Sequence, residues 1–147
     1  MKNIFKQLLA LSLVSSAALT SSLVQASDVE FEIKGIKSDS GKIYIQIFKG
    51  EENYTQGNAE SSSIMKAVKG STKTIFNNMP VGEYAVRFFH DENSNGKLET
   101  NLFGVPTEGY GFSNNAKPNF GPVNYSEIKF LVSATDNTVK NQTTAIY

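Results

Sequence analysis

The chain has 147 residues, with 14 basic and 14 acidic side chains, one histidine and no cysteine. A formal charge of zero gives no electrostatic case for nucleic acid or for an anionic membrane surface. Without cysteine there are no disulfides, thiolate metal sites or lipid-modified cysteines, and a lone histidine leaves zinc and copper without a ligand set.

The first residues carry a targeting pattern. MKNIFKQ supplies Lys2 and Lys6, and LLALSLVSSAALT is apolar but shorter than the roughly 20 residues a membrane span needs. SSLVQA then puts Val24 and Ala26 at the two positions a signal peptidase reads. The expectation is a secretory signal peptide over residues 1–26 and a single exported domain over 27–147, periplasmic or extracellular, with no membrane span after cleavage. Both amino-terminal lysines leave with the signal while all 14 acids remain, for a net charge of −2.

Period-two alternation, the signature of a half-buried strand, recurs along the rest of the chain. VEFEIK (29–34) turns Val29, Phe31 and Ile33 to one face, and GKIYIQIFK (41–49) does the same with Ile43, Ile45 and Ile47. SDSG (38–41) reads as a tight turn that would make these two a hairpin. The polar stretch 51–70 reads as a long surface connection with a short helix, in which Ile64, Met65, Ala67 and Val68 cluster. TKTIFNN (72–78) is a strand, and Met79-Pro80-Val81-Gly82 is a natural turn. In GEYAVRFFH (82–90) Tyr84, Val86 and Phe88 share a face, yet Ala85 and Phe89 opposite are also apolar, which predicts a central strand. SEIKFLV (126–132) alternates again, and TVKNQTTAIY (138–147) reads as an edge strand.

About seven short strands with turn signals between them predict an all-β fold, a single antiparallel β-sandwich of immunoglobulin-like or transthyretin-like type. A small closed barrel is the alternative. An outer-membrane barrel is disfavoured, because eight strands of about 9–11 residues would consume most of the chain.

Two segments could carry function. In residues 91–99, Asp91, Asn93 and Asn95 occupy positions one, three and five of a calcium-loop spacing, Gly96 the turn at six, the Lys97 carbonyl seven and Glu99 nine. A hard cation wants oxygens at alternating positions of a loop that curls around it. Position twelve is Leu102 instead of a carboxylate, and a strand instead of a helix precedes the loop, so Glu108 is the acid that would complete the set. Calcium is therefore the candidate cofactor; the competing reading is a polar turn, since Asp, Asn and Asn-Gly favour turns by themselves. His90, on the Tyr84 face, reads as a structural group holding this loop, with Gly96 structural as well. Residues 102–124 then form a long segment without periodicity, rich in Gly, Pro and aromatics. It is either a self-packed loop or a ligand surface centred on Tyr110, Phe112, Ser113 and Asn114.

These same residues carry a resemblance. Gly82, Tyr84, Ala85, His90, Asp91, Asn93, Asn95 and Gly96, followed by Gly104, Pro106, Glu108, Tyr110, Gly111, Phe112, Ser113, Asn114 and Asn115, fit the pattern G-x-Y-A…H-D-x-N-x-N-G then G-x-P-x-E-x-Y-G-F-S-N-N. The chain thereby resembles the exported bacterial proteins of domain of unknown function family 2141. The resemblance implies a bacterial source and export, and implies no activity. FNNMPVGEYAVRFFHD also looks like a strand–turn–strand of transthyretin-like and collagen-binding-B-type sandwiches, which supports the fold alone.

Three functions stay open on these residues. The first is an exported, noncatalytic binding or envelope-associated module that engages an unknown ligand or envelope component. The second is a small hydrolase centred on His90 and Glu108, although Ser113 lacks a G-x-S-x-G setting. The third is a carrier of a small apolar ligand.

Overall fold

The computed structural model describes residues 25–119 and 121–147. The expected signal segment lies outside them, apart from Gln25 and Ala26. Among the described residues, eight strands build two facing sheets: β1 Ala26–Ile36, β2 Lys42–Lys49, β3 Ser61–Lys66, β4 Gly70–Pro80, β5 Gly82–Asp91, β6 Gly109–Phe112, β7 Phe130–Val132 and β8 Thr138–Thr144. The small sheet runs β4-β1-β8 and the large one β3-β2-β5-β6, with β7 also on β5. The chain is an all-β sandwich. Its pairings are antiparallel except β1 with β8, which is parallel.

The alternation seen in the sequence sets the core. Val29, Phe31 and Ile33 of β1 face Ile43, Ile45 and Ile47 of β2 and Tyr84, Val86 and Phe88 of β5, all at most 3 % exposed. At about 25 cal/mol per Å2 of apolar area removed from water, this shared layer is the main force joining the sheets. The intervening β1 residues form a solvated outer face, where Glu30 pairs with Lys73 at 3.0 Å.

β1 and β2 do not form the hairpin expected across SDSG. Residues 37–41 instead carry the chain from the small sheet to the large one, so that the two apolar faces meet instead of lying side by side. The crossing is fixed against the end of β5. Gly41 has φ +71, and a Cβ there would lie 1.8 Å from the Asp91 carbonyl oxygen, so no other residue fits. Met79-Pro80-Val81-Gly82 is likewise a crossing between sheets, β4 to β5.

Three expectations along the chain need correction. The short helix α1, Gly50–Gln56, precedes the Ile64–Val68 cluster, whose first half is β3, an edge strand pairing Ile64 with Tyr44. The segment 126–132 is a strand only at Phe130–Val132, because Tyr125–Ile128 is a helical turn, α2. The Asn124 N–H donates to the Glu127 carboxylate at 3.0 Å, and the Asn114 amide donates to the Glu127 and Lys129 carbonyls. Those contacts use groups that a longer strand would have paired. Finally, residues 102–124 are not one loop, since β6 and a 3-10 turn at Ser113–Asn115 lie within them.

Strands β2 and β3, and β5 and β6, are sequence neighbours in the same sheet. Both links are long: one carries α1, the other is the segment 92–108. Both stand beside the outer face of the large sheet. Among the described residues, no helix is long and apolar enough to cross a membrane.

Candidate functional site

The outer face of the large sheet is divided. One half is covered: Ala85 of β5 is buried under Val123, Tyr125 and Ile128, with Tyr54, Phe112 and Ala116 against them. The other half is open and aromatic. Tyr44 of β2 and Phe89 of β5 are cross-strand partners whose rings stack at 4.8 Å and 3°. Beside them runs a groove of about 420 Å3, lined by Tyr44, Gln46, Tyr54, Arg87, Phe89 and Phe112, with Leu98 at its lip. A second depression of about 260 Å3 flanks the stack towards β3, where Ser62, Ser63 and Ile64 line it. Clefts of a few hundred Å3 with aromatic walls and few polar groups are the usual form of small-molecule sites.

Arg87, the chain's one arginine, is the only cation on the groove wall among the described residues. Its Nε donates to Gln46 Oε1 at 3.0 Å, and its guanidinium lies 4.7 Å from the Phe48 ring centre and 5.8 Å from that of Tyr54. Burial pushes the Tyr54 hydroxyl above its ordinary pKa, and the Arg87 charge takes back part of that rise.

The 91–99 loop forms the neighbouring rim. Asp91 is fully buried and both its oxygens accept main-chain N–H groups, Oδ1 from Asn95 at 3.0 Å and Oδ2 from Gly96 at 2.8 Å. Asn93 Oδ1 also accepts from the Asn95 N–H, Asn95 Oδ1 accepts from the Lys97 N–H at 2.9 Å, and Asn95 Nδ2 donates to Glu99 Oε1 at 2.9 Å. Gly96 supplies the bend with φ +79. Glu108, 4 % exposed, closes the loop at its base by accepting from the N–H groups of Glu92 and Glu99 at 3.0 and 3.1 Å. The six residues singled out for calcium thus come together as one hydrogen-bonded unit. Among the described residues, no group of three or more His, Cys, Asp or Glu is placed to hold a metal ion. A cation here would rely on amide and main-chain oxygens, and would meet a loop already formed by its own hydrogen bonds.

His90 is fully buried. Its Nε2 lies 2.7 Å from the Ser40 carbonyl, which can only accept, so Nε2 carries a proton. Its Nδ1 lies 2.8 Å from the Tyr147 hydroxyl. With both ring nitrogens occupied, and both Glu108 oxygens on main-chain N–H groups, His90 and Glu108 make no hydrogen bond to each other.

The four residues expected as a ligand surface separate. Phe112 lines the groove, and Tyr110 stands beside it at 6.1 Å between ring centres, opposite Phe89 in register. Ser113 is fully buried; its hydroxyl accepts from the Val86 N–H at 2.9 Å and contacts the Ile128 carbonyl. Asn114 has φ +60 and exchanges hydrogen bonds with Asn141 on β8. Neither of these two lines the groove.

A family model described as an uncharacterized protein conserved in bacteria, DUF2141, matches residues 31–140. The chain belongs to this family. The DUF2141 match takes in β2 through β7 with the groove and the loop, so the site described above is contained in the family region. Comparisons with curated proteins and with solved structures gave no match.

Sequence reasoning missed Tyr44, Gln46, Tyr54, Arg87, Phe89 and Leu98. One signal was visible: the second face of 82–90 is apolar too, and Tyr44 and Phe48 stand on the supposedly polar side of 41–49. Two strands, each with aromatics on its outward face, mark a sheet face that is covered or used.

Proposed function

We propose that this DUF2141 member is an exported, noncatalytic binding module of the bacterial envelope, whose ligand lies in the groove beside the Tyr44–Phe89 stack. One observation carries the reading: half of an outer sheet face is left as an open aromatic cleft, walled by α1 and by the 91–99 loop. A face meant only for solvent would present alternating polar side chains, as the outer face of β1 does. The targeting pattern at residues 1–26 supports export. The hydrogen bonds that already occupy His90, Glu108 and Ser113 leave the hydrolase reading without an assembled set of groups.

Calcium belongs to this proposal as a stabiliser of the 91–99 loop, and hence of Leu98 at the groove lip. Two in-loop acids, Asp91 and Glu99, suit the weak, roughly 10−4–10−3 M affinities of extracellular modules. At a dissociation constant of about 1 mM, about 10 mM calcium adds about 1.4 kcal/mol, a rise of about 5 °C in Tm.

The binding test is a titration with N-phenyl-1-naphthylamine, a neutral aryl probe that brightens in apolar surroundings. Saturable emission from the wild type, weakened about tenfold or more in Phe89→Ala with its melt unchanged, is expected from the loss of one aromatic wall. Absent emission, or equal emission from both proteins, overturns the groove. For the loop, melts in EDTA and in calcium are compared for wild type and Asp91→Asn. Superimposable wild-type curves end the calcium proposal.

A further inference from the structure

The charge of the groove goes further than its shape. Among the described residues its lining holds one cation, Arg87, and no acid. Each ion pair among the described residues joins a lysine to a glutamate elsewhere: Lys34 with Glu32, Lys73 with Glu30, Lys129 with Glu83. Among the described residues, Arg87 has no carboxylate within ion-pair distance. Its Nε is taken by Gln46, which fixes the plane of the guanidinium, while the rings of Phe48 and Tyr54 hold the fork from behind. A guanidinium is planar, always charged and weakly hydrated, and it presents paired donors that match a carboxylate or sulfonate. Held on rings and spared an internal counter-ion, it keeps its terminal N–H groups for a partner from outside.

From this arrangement we infer that the groove selects an amphipathic organic anion: an apolar or aromatic body lying along Tyr44, Phe89, Phe112 and Leu98, with its acidic head on the Arg87 fork. The inference rests on the binding-module reading and adds the class of ligand to it. Apolar walls supply most of the affinity, and the single charge-assisted contact supplies orientation and discrimination against neutral analogues. The plain alternative is that Arg87 merely covers Phe48 and Tyr54 with its stem and ring-facing charge. That alternative predicts no preference for anions.

The test uses two probes that differ by one group. 8-Anilinonaphthalene-1-sulfonate is N-phenyl-1-naphthylamine bearing a sulfonate. The folded protein is titrated with each, at low and at high salt, together with Arg87→Gln and Arg87→Lys. The expected result is sulfonate binding about tenfold or more tighter than binding of the neutral probe, in line with a hydrogen bond to a charged group. Arg87→Gln should erase that preference while still binding the neutral probe. Arg87→Lys should keep part of the preference, since charge remains but the fork is lost.

Equal affinity of the wild type for both probes overturns the anion inference and leaves the groove standing. Binding of neither probe removes both. A sulfonate preference that survives in Arg87→Gln overturns the role given to Arg87. Loss of both probes in Arg87→Gln, with an unchanged melt, assigns Arg87 to the shape of the groove instead of its charge, and also overturns the inference.

Discussion

The Nδ1 of His90 and the hydroxyl of Tyr147 stand 2.8 Å apart in a chain of hydrogen bonds that ties three segments together. The Lys37 N–H donates to the Tyr147 oxygen at 3.0 Å, the Tyr147 hydroxyl donates to Nδ1, and Nε2–H donates to the Ser40 carbonyl. The inter-sheet crossing, the last residue of the chain and the end of β5 are thereby fastened at the base of the 91–99 loop. Gly109 completes the fit, since a Cβ there would lie 2.5 Å from the Tyr147 ring. Tyr147→Phe leaves the buried Nδ1 without its donor and should cost about 1–2 kcal/mol. His90→Ala removes both bonds and opens a cavity, for about 2–4 kcal/mol. Urea midpoints of the two variants check the order; a Tyr147→Phe midpoint equal to wild type would mean the chain of bonds does not stabilise.

Glu108 joins the two ends of the 91–99 loop through the N–H groups of Glu92 and Glu99. Both are charge-assisted bonds to a carboxylate that is almost fully buried. Glu108→Gln keeps the volume but replaces one acceptor oxygen with an N–H donor that faces a main-chain N–H. The expected loss is about 1.5–3 kcal/mol, with faster amide exchange confined to residues 92–99. Uniform exchange changes across β2 and β5 would show that Glu108 supports the sandwich as a whole.

Strand existence was legible because Val29, Phe31 and Ile33, or Ile43, Ile45 and Ile47, alternate cleanly against polar neighbours. Pairing was not legible: alternation says which side of a strand is buried but not which strand lies beside it, and residues 37–41 fit either a hairpin or a crossing. Only the approach of Gly41 to the Asp91 carbonyl decides between them, and that is a long-range contact. The loop residues Asp91 to Glu99 were legible as a unit because turn chemistry is local. The groove was not, since Tyr44, Tyr54, Arg87 and Phe112 come from four separate elements and meet only through sheet order. Ser113 and Asn114 looked like surface residues by type, yet they stitch β6 to β5, β8 and the turn before β7.

Alkaline pH should weaken the fold through Tyr84. Burial, with a smaller contribution from Glu60, pushes its hydroxyl up to about 12 from the ordinary 10, and it donates to the Pro80 carbonyl at 2.7 Å. The folded state therefore holds the proton more tightly than the unfolded chain. That contribution is fully present below pH 10 and is lost progressively as pH rises through the folded value near 12. Urea midpoints should fall between pH 10 and 12, and Tyr84→Phe should flatten the fall. Tyr147, also raised by burial, adds to the same trend in the wild type, so Tyr84→Phe removes only part of it.

Leu102 and Phe103 sit at the tip of the 92–108 segment, with side chains almost wholly in solvent. What holds the tip is main-chain bonding around Asn101. Its Oδ1 accepts from the Phe103 and Val105 N–H groups at 2.9 and 3.1 Å, its carbonyl accepts from Gly104 at 2.9 Å, and its N–H donates to the Val105 carbonyl at 2.8 Å. Neither apolar side chain contributes burial, so the double variant Leu102→Ser/Phe103→Ser should melt within about 0.5 kcal/mol of wild type. Asn101→Ala should behave differently. Water can replace the lost acceptor, so global stability changes little, but the tip loosens and becomes a site for proteolytic nicking. Limited proteolysis with chymotrypsin reads this directly: cleavage after Phe103 should be slow in the wild type and accelerated in Asn101→Ala. Equal rates would show that the tip is already mobile, and that the Asn101 bonds do not hold it in solution.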